Sequence, residues 1–339
     1  MTDAQKNPPR VPNAAAKPRR WRDLGLMIGL MVLVLAGLVG LAAATGWQET
    51  LSAFRALGWT EVLILLALSL VNYVCRGLRW HVFSLRLGLP VNLLQTLRHF
   101  LGGFAMSVTP GRVGELVRMR WIQRETGWPF DRTAPLVLMD RAADLAAMAV
   151  LLAFALGLSM SGMTGGIPVV LMAIAASIAV TRPSLLRALA DIGHRLTQRA
   201  FPRIFVRIRR ASRSLAAFSN PLVLAGAGVL GVIGWFAEGY AFHILLGWLG
   251  FDIGLWRAVA IFIFSTLAGG LTGAPGGLGG AEAAMIALLS LEGVPPEVSV
   301  PATLVIRFTT LWFAILIGLA VFPLAEKLSQ KAKHALEKG

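Results

Sequence analysis

Twice, an apolar stretch that would otherwise run on as one helix is cut by a proline-glycine step with a glutamate just beyond it. The first copy reads Thr109-Pro110-Gly111-Arg112-Val113-Gly114-Glu115, and the second reads Ala274-Pro275-Gly276-Gly277-Leu278-Gly279-Gly280-Ala281-Glu282. Proline removes a backbone donor and clashes with the preceding turn. Glycine allows conformations and close approaches that a side chain forbids. Together they end one half-helix and begin another. The surroundings repeat as well. Arg141 follows Pro110, and Arg307 follows Pro275, at nearly the same interval. An apolar segment with an embedded charge precedes each step, carrying Arg76 and Arg79 in the first case and Glu238 in the second. A repeated unit with a broken helix at its centre is a transporter-like pattern.

The composition places such units in lipid. Of 339 residues, 56% are hydrophobic and 14% charged, whereas soluble domains carry about 25% charged residues. In a bilayer each helix must satisfy its own backbone polar groups. The net charge of +15 does not imply nucleic acid, because the basic residues sit at the ends of apolar segments, where the positive-inside bias puts them. A lone Cys75 excludes an internal disulfide, and five dispersed histidines form no ligand pattern, so neither metal nor cofactor is expected.

Residues 1–23 read as a disordered basic cytoplasmic arm. Ala42-Ala43-Ala44 mimics a signal-peptidase site, but the run from Leu24 to Ala44 is longer than the 7–15 or so residues of a signal core, so it is read as an uncleaved first span. A crossing helix takes about 20 apolar residues. Further spans are expected at 60–80, 134–157, 167–180, 223–248 and 301–323. Between them, 93–124 and 258–291 are too interrupted for plain spans. They read as re-entrant hairpins with tips at Pro110-Gly111 and Pro275-Gly276, entering from the inner and outer sides respectively. Nine arginines against Asp191 mark 181–220 as a basic cytoplasmic linker. It is either an amphipathic helix on the anionic leaflet or a solvated connector. The expected fold is an all-α polytopic membrane protein with six full spans plus two re-entrant hairpins, eight by some counts. The transmembrane domain is 24–325, arranged as an inverted repeat of 58–158 and 221–325, and 326–339 is a basic cytoplasmic tail.

A charge at the centre of a span costs about 2.5–3.5 kcal/mol on insertion scales, so the embedded ones need a reason. The free N–H groups at each break favour an anion such as a lipid phosphate; the bland alternative is an ordinary kink. Arg76, Arg79 and Arg112 suit a bidentate phosphate clamp, or else snorkelling to headgroups. Glu115, Asp140, Arg141, Glu238, Glu282 and Arg307 either balance charge in a site or form a structural ion-pair network, for instance Glu115 with Arg141 and Glu282 with Arg307. Asp144, at i,i+3 from Arg141, fits the structural role equally well.

The series Arg76-x-x-Arg79-Trp80, Thr109-Pro110-Gly111-Arg112-x-Gly114-Glu115-x-x-Arg118, Asp140-Arg141-x-x-Asp144, Pro275-Gly276-Gly277-x-Gly279-x-x-Glu282 and Arg307 resembles the lysylphosphatidylglycerol synthase transmembrane-region family over about residues 25–325. Members with a soluble synthetase domain make and flip aminoacylated phosphatidylglycerol, and that domain has no counterpart in this sequence. The resemblance implies a stand-alone, flippase-like transporter of a phospholipid or related anionic or aminoacylated lipid in the bacterial inner membrane, with both termini cytoplasmic.

Two other classes compete. A polyprenyl-pyrophosphate phosphatase has similar inverted hairpins, but it needs a serine and paired glutamates where this chain has Arg-Val-Gly and Gly-Leu-Gly. A non-transporting partner of a lipid- or glycan-modifying enzyme is compatible with the same sequence. Self-association is left open. If Arg112 belongs to a phosphate clamp, Arg112→Ala abolishes lipid transport in liposomes while membrane insertion is unchanged; full activity would remove it from the clamp.

Overall fold

The computed structural model of the chain describes residues 57–107, 113–158 and 220–337, together with Leu171, Ala175, Ala188, Asp191, Ile192 and Phe218. The expected span at 24–44, nearly all of that at 167–180 and of the basic linker, and Pro110, Gly111 and Arg112 lie outside the described residues. Every regular element among the described residues is helical. Helix α1 is Trp59–Arg86. Helix α2, Leu93–Gly102, runs into a 3₁₀ turn, Gly103–Met106, and α3 is Val113–Thr126. Helix α4 is Phe130–Leu158 and α5 is Pro221–Trp248. Helix α6, Leu255–Leu271, is followed by a 3₁₀ turn at Pro275–Gly277 and by α7, Gly280–Leu291. Helix α8, Pro296–Arg307, passes through one π turn, Phe308–Trp312, into α9, Phe313–Leu336.

Four of these stretches are long and apolar enough to cross a membrane: Trp59–Arg86, Phe130–Leu158, Pro221–Trp248 and the continuous Pro296–Leu336. Helices α6 and α7 are apolar but short. The helix through Pro301 is therefore longer at both ends than the apolar core of its sequence suggests. Beyond the apolar core, Glu326 and Ser329 meet Arg124 of α3.

The radial pattern of α1 is that of a membrane helix. Leu63 and Val74 are 63% and 49% exposed, whereas Ser69, Asn72 and Arg79 are wholly buried. Apolar side chains can face lipid, so polar ones must turn inward to find partners. Local signals set the helix starts. Asn92 accepts from Gln95 N at 2.8 Å in a capping box. Asn220 caps α5, with Pro221 at the first helical position.

Among the described residues, helices α1 and α5 form the most extensive pairing. They approach closely because α5 presents glycine: a Cβ at Gly234 would lie 3.3 Å from Asn72 Cα, and one at Gly231 would lie 3.2 Å from Arg79 Nη1 of α1 and 2.8 Å from Ala147 Cβ of α4. The two broken segments then exchange partners. Helix α9 packs on α2, its 3₁₀ turn and α3, while α4 packs on α6. The last long helix of each half thus braces the broken segment of the other half. Two large apolar cores result among the described residues. One joins α4, α5 and α6 to Met285 and Val305. The other gathers Tyr73, Trp80, Phe83, Phe100, Phe104, Ile122 and Met139.

Glycine is required where α9 meets the first broken segment. A Cβ at Gly318 would overlap the backbone of Ala105 and lie 2.7 Å from Phe104 C. Backbone cannot yield as a flexible side chain can. Gly318→Leu is expected to destabilise the protein by about 1–3 kcal/mol or more, read from unfolding in detergent micelles. Gly226→Ala, on an open face of α5 with nothing within 4 Å of the new methyl group, serves as the tolerated comparison.

Candidate functional site

A cavity of about 600 Å³ opens between the two broken segments. Its wall is drawn from most of the described helices. Helix α1 contributes Tyr73 and Arg76, and the first broken segment contributes Phe104, Gly114, Glu115 and Arg118. Helix α4 adds Arg141 and Asp144, and α5 adds Trp235 and Glu238. Gly276, Gly277 and Arg307 close the far side. Arg79, Asp140 and Glu282 are not part of this lining. They are buried behind it and hold its members in place.

The inner pairings centre on Asp144. Arg76 Nη2 donates to its Oδ2 at 2.9 Å, and Arg79 Nη2 to its Oδ1 at 2.6 Å. Trp235 Nε1 reaches the same Oδ1 at 3.3 Å, and Arg141 Nη1 stands 3.5 Å from Oδ2. Arg79 also donates to Asp140 Oδ1 from both Nη2, at 2.7 Å, and Nε, at 3.2 Å. Its side chain has no exposed surface. A guanidinium so enclosed cannot turn to a ligand. Of the two arginines offered by α1 for a clamp, only Arg76 lines the cavity, and it too is ion-paired. Arg76 also lies 5.2 Å from the Trp235 ring and 5.7 Å from that of Phe100.

Each break has its own staple. In the second, Arg307 Nε donates to Glu282 Oε1 at 2.6 Å and Nη2 donates to the Gly276 carbonyl at 3.0 Å. Arg307 is the last residue of α8, immediately before the π turn, a departure that often marks functional positions. In the first, Arg141 Nε lies 2.7 Å from Glu115 Oε1. The sequence repeat thus becomes a repeated contact: the glutamate beyond each break meets the arginine of the following long helix. The second break itself depends on glycine. Gly276 and Gly277 have φ of 65° and 69°, and a Cβ on Gly277 would lie 3.1 Å from Gly269 C, where the two half-helices cross. Pro275 opens this turn.

Around the cavity, the second arm of the first segment is fastened at its far end. Glu125 is ion-paired with Arg98 at 2.7 Å, His99 Nε2 lies 3.1 Å from it, and Gln95 donates to it as well. Glu326 of α9 accepts from Arg124 at 2.8 Å, Trp121 Nε1 at 2.9 Å and Arg120 at 3.0 Å. These ties hold α3 against both α2 and α9.

Two charged side chains of the lining stand apart. Glu238 is 5% exposed and has no ion pair with a described residue. Arg118 is 3% exposed, and its Nε and Nη1 have no hydrogen-bond partner. The guanidinium sits against rings instead, 4.3 Å from Phe100, 5.4 Å from Trp80 and 5.5 Å from Phe104. Sequence reasoning singled out Glu238, whereas Arg118 entered only as a member of the family pattern, without a role, among several arginines on a helix with alternating charges. Its distinguishing signal is the pair of glycines, Gly103 and Gly114, that make room for it, and their role is visible only in the packed structure.

The family model described as "Lysylphosphatidylglycerol synthase TM region" matches residues 24–318. The chain belongs to this family. It is also 26% identical over 337 residues to a protein of Methanothermobacter thermautotrophicus named "UPF0104 membrane protein", an alignment covering 88% of this chain and 98% of that one.

Removing the carboxylate that serves three arginines should cost far more than removing one at the rim. Asp144→Asn is expected to lose about 3–5 kcal/mol of stability, as for a broken buried pair. Glu115→Gln, whose partner Arg141 is 32% exposed on its side chain, should lose clearly less. Unfolding in nanodiscs measures both, and equal losses would remove Asp144 from the centre of the network.

Proposed function

We propose that this member of the lysylphosphatidylglycerol synthase transmembrane-region family is a flippase-like transporter that carries a phospholipid, or a related anionic or aminoacylated lipid, between leaflets. The observation that carries the reading is the cavity: about 600 Å³ with a mainly apolar wall that carries four arginines and three acids, inside a protein whose outer surface exposes leucine, valine and isoleucine. The charged side chains of such a wall suit a headgroup, and its apolar share suits acyl chains. Intramembrane ionisable residues mark substrate pathways more often than they serve packing alone.

In this reading the two broken segments are re-entrant hairpins of opposite orientation, and the protein has six full spans with both termini cytoplasmic in the inner membrane. The exchanged bracing, α9 on the first hairpin and α4 on the second, supports an inverted repeat about an axis in the membrane plane. Rocking one repeat against the other would open the cavity to each leaflet in turn. The basic linker at 181–220 would rest on anionic lipid of the cytoplasmic leaflet. The reading requires no covalent step, metal or cofactor.

Reconstitution in liposomes with fluorescent phosphatidylglycerol, its lysyl ester and a neutral control lipid tests this directly. Leaflet exchange above protein-free liposomes, lost in Arg307→Ala, is the expected result. A folded protein that exchanges none of these lipids would instead favour a non-transporting partner of a lipid- or glycan-modifying enzyme.

A further inference from the structure

We propose that Arg118 is the residue that receives the phosphate group of the ligand, while the arginines that form ion pairs shape the cavity around it. The inference rests on the lipid-transport reading and names the atoms that would recognise the headgroup. Among the described arginines of the lining, Arg76, Arg141 and Arg307 each face a carboxylate within ion-pair distance. Arg118 has none. The charges near it are Asp140, Glu115, Arg141 and Arg76. Both acids are engaged elsewhere, Asp140 by Arg79 and Glu115 by Arg141. An enclosed guanidinium with idle donors is costly, and aromatic contact offsets only part of that cost. An anion entering the cavity would supply the missing partner.

The surroundings are built to keep the guanidinium where it is. Phe100, Trp80 and Phe104 hold it from the side by cation–π contact. Gly103 leaves the slot it occupies, since a Cβ there would overlap Nε and lie 2.9 Å from Cγ. Gly114 lets α3 approach closely enough, since a Cβ there would collide with the Gly103 carbonyl. A planar fork held this way matches two phosphate oxygens and spends no further entropy on binding.

The test is binding to the purified full chain in micelles, titrated with three probes: dioctanoyl phosphatidylglycerol, inorganic phosphate and dioctanoylglycerol. Wild type should bind the phospholipid saturably and the uncharged diglyceride more weakly. Arg118→Gln should weaken phospholipid binding at least about tenfold, as expected for a lost charged hydrogen bond. Arg118→Lys, which keeps the charge and the ring contacts but not the fork, should fall between the two. Arg86→Gln, at the exposed end of α1, should bind as wild type. If the glutamine variant does not fold, the lysine variant decides the case. Wild-type affinity in the folded Arg118 variants, no saturable binding of either phosphate probe, or equal binding of the diglyceride would overturn the proposal. Binding of inorganic phosphate that is also lost in Arg118→Gln assigns the site to the phosphate group itself; binding of the lipid alone assigns it to the whole headgroup with its chains. Arg118-dependent binding without leaflet exchange would leave this inference standing and sink transport. Exchange with Arg118-independent binding would do the reverse.

Discussion

One carboxylate holds three arginines. Asp144 meets Arg76, Arg79 and Arg141, and through them it links α1 to α4 and, by way of Arg141 and Glu115, to the first broken segment. In a membrane this is a strong constraint. Unpaired charges are expelled toward water, so helices bearing them can pack in few ways. The α1–α4 interface is set by which acids reach which guanidiniums, and the apolar cores fill around that choice. Trp235, donating to the same carboxylate from α5, brings a third long helix to the same point.

The second requirement is close approach. The charged groups meet only because glycines let the backbones come together: Gly231 and Gly234 where α5 crosses α1 and α4, Gly318 where α9 crosses the first segment, and Gly269 with Gly277 at the second break. Hydrophobic attraction between helices is weak in lipid, so small residues at crossings carry more of the assembly than they do in water. Ion pairs and glycines therefore act as one device. The glycines shorten the distance, and the pairs make the shortened distance favourable.

Much of this is readable in the chain. The second break, the four long helices that the structure describes and the partnership of Glu115 with Arg141 and Glu282 with Arg307 all follow from spacing and hydropathy, because an embedded glutamate in a repeated position needs a cation in a repeated position. Arg79 and Arg118 are different. Both sit on charged helical stretches, and nothing in the residue order separates the one enclosed by two aspartates from the one enclosed by three rings. The ties of Glu125 and Glu326 are equally silent, since no local pattern says which arginines of α2 and α3 they will meet.

The sequence by itself determined the helical membrane character, the places where helices break and the set of charges that must be reconciled in the interior. These depend on local chemistry: apolar length, the missing donor of proline, and the cost of an embedded charge. Only the tertiary structure decided which charges cancel. Five arginines and five acids gather around the cavity among the described residues, Arg76, Arg79, Arg118, Arg141 and Arg307 with Glu115, Asp140, Asp144, Glu238 and Glu282. Equal numbers would allow complete pairing. The packing of α3 against the rings of α1 and α2 instead holds Arg118 away from every available carboxylate, and a side chain's distance from its partner is fixed by how helices cross, which no local pattern encodes.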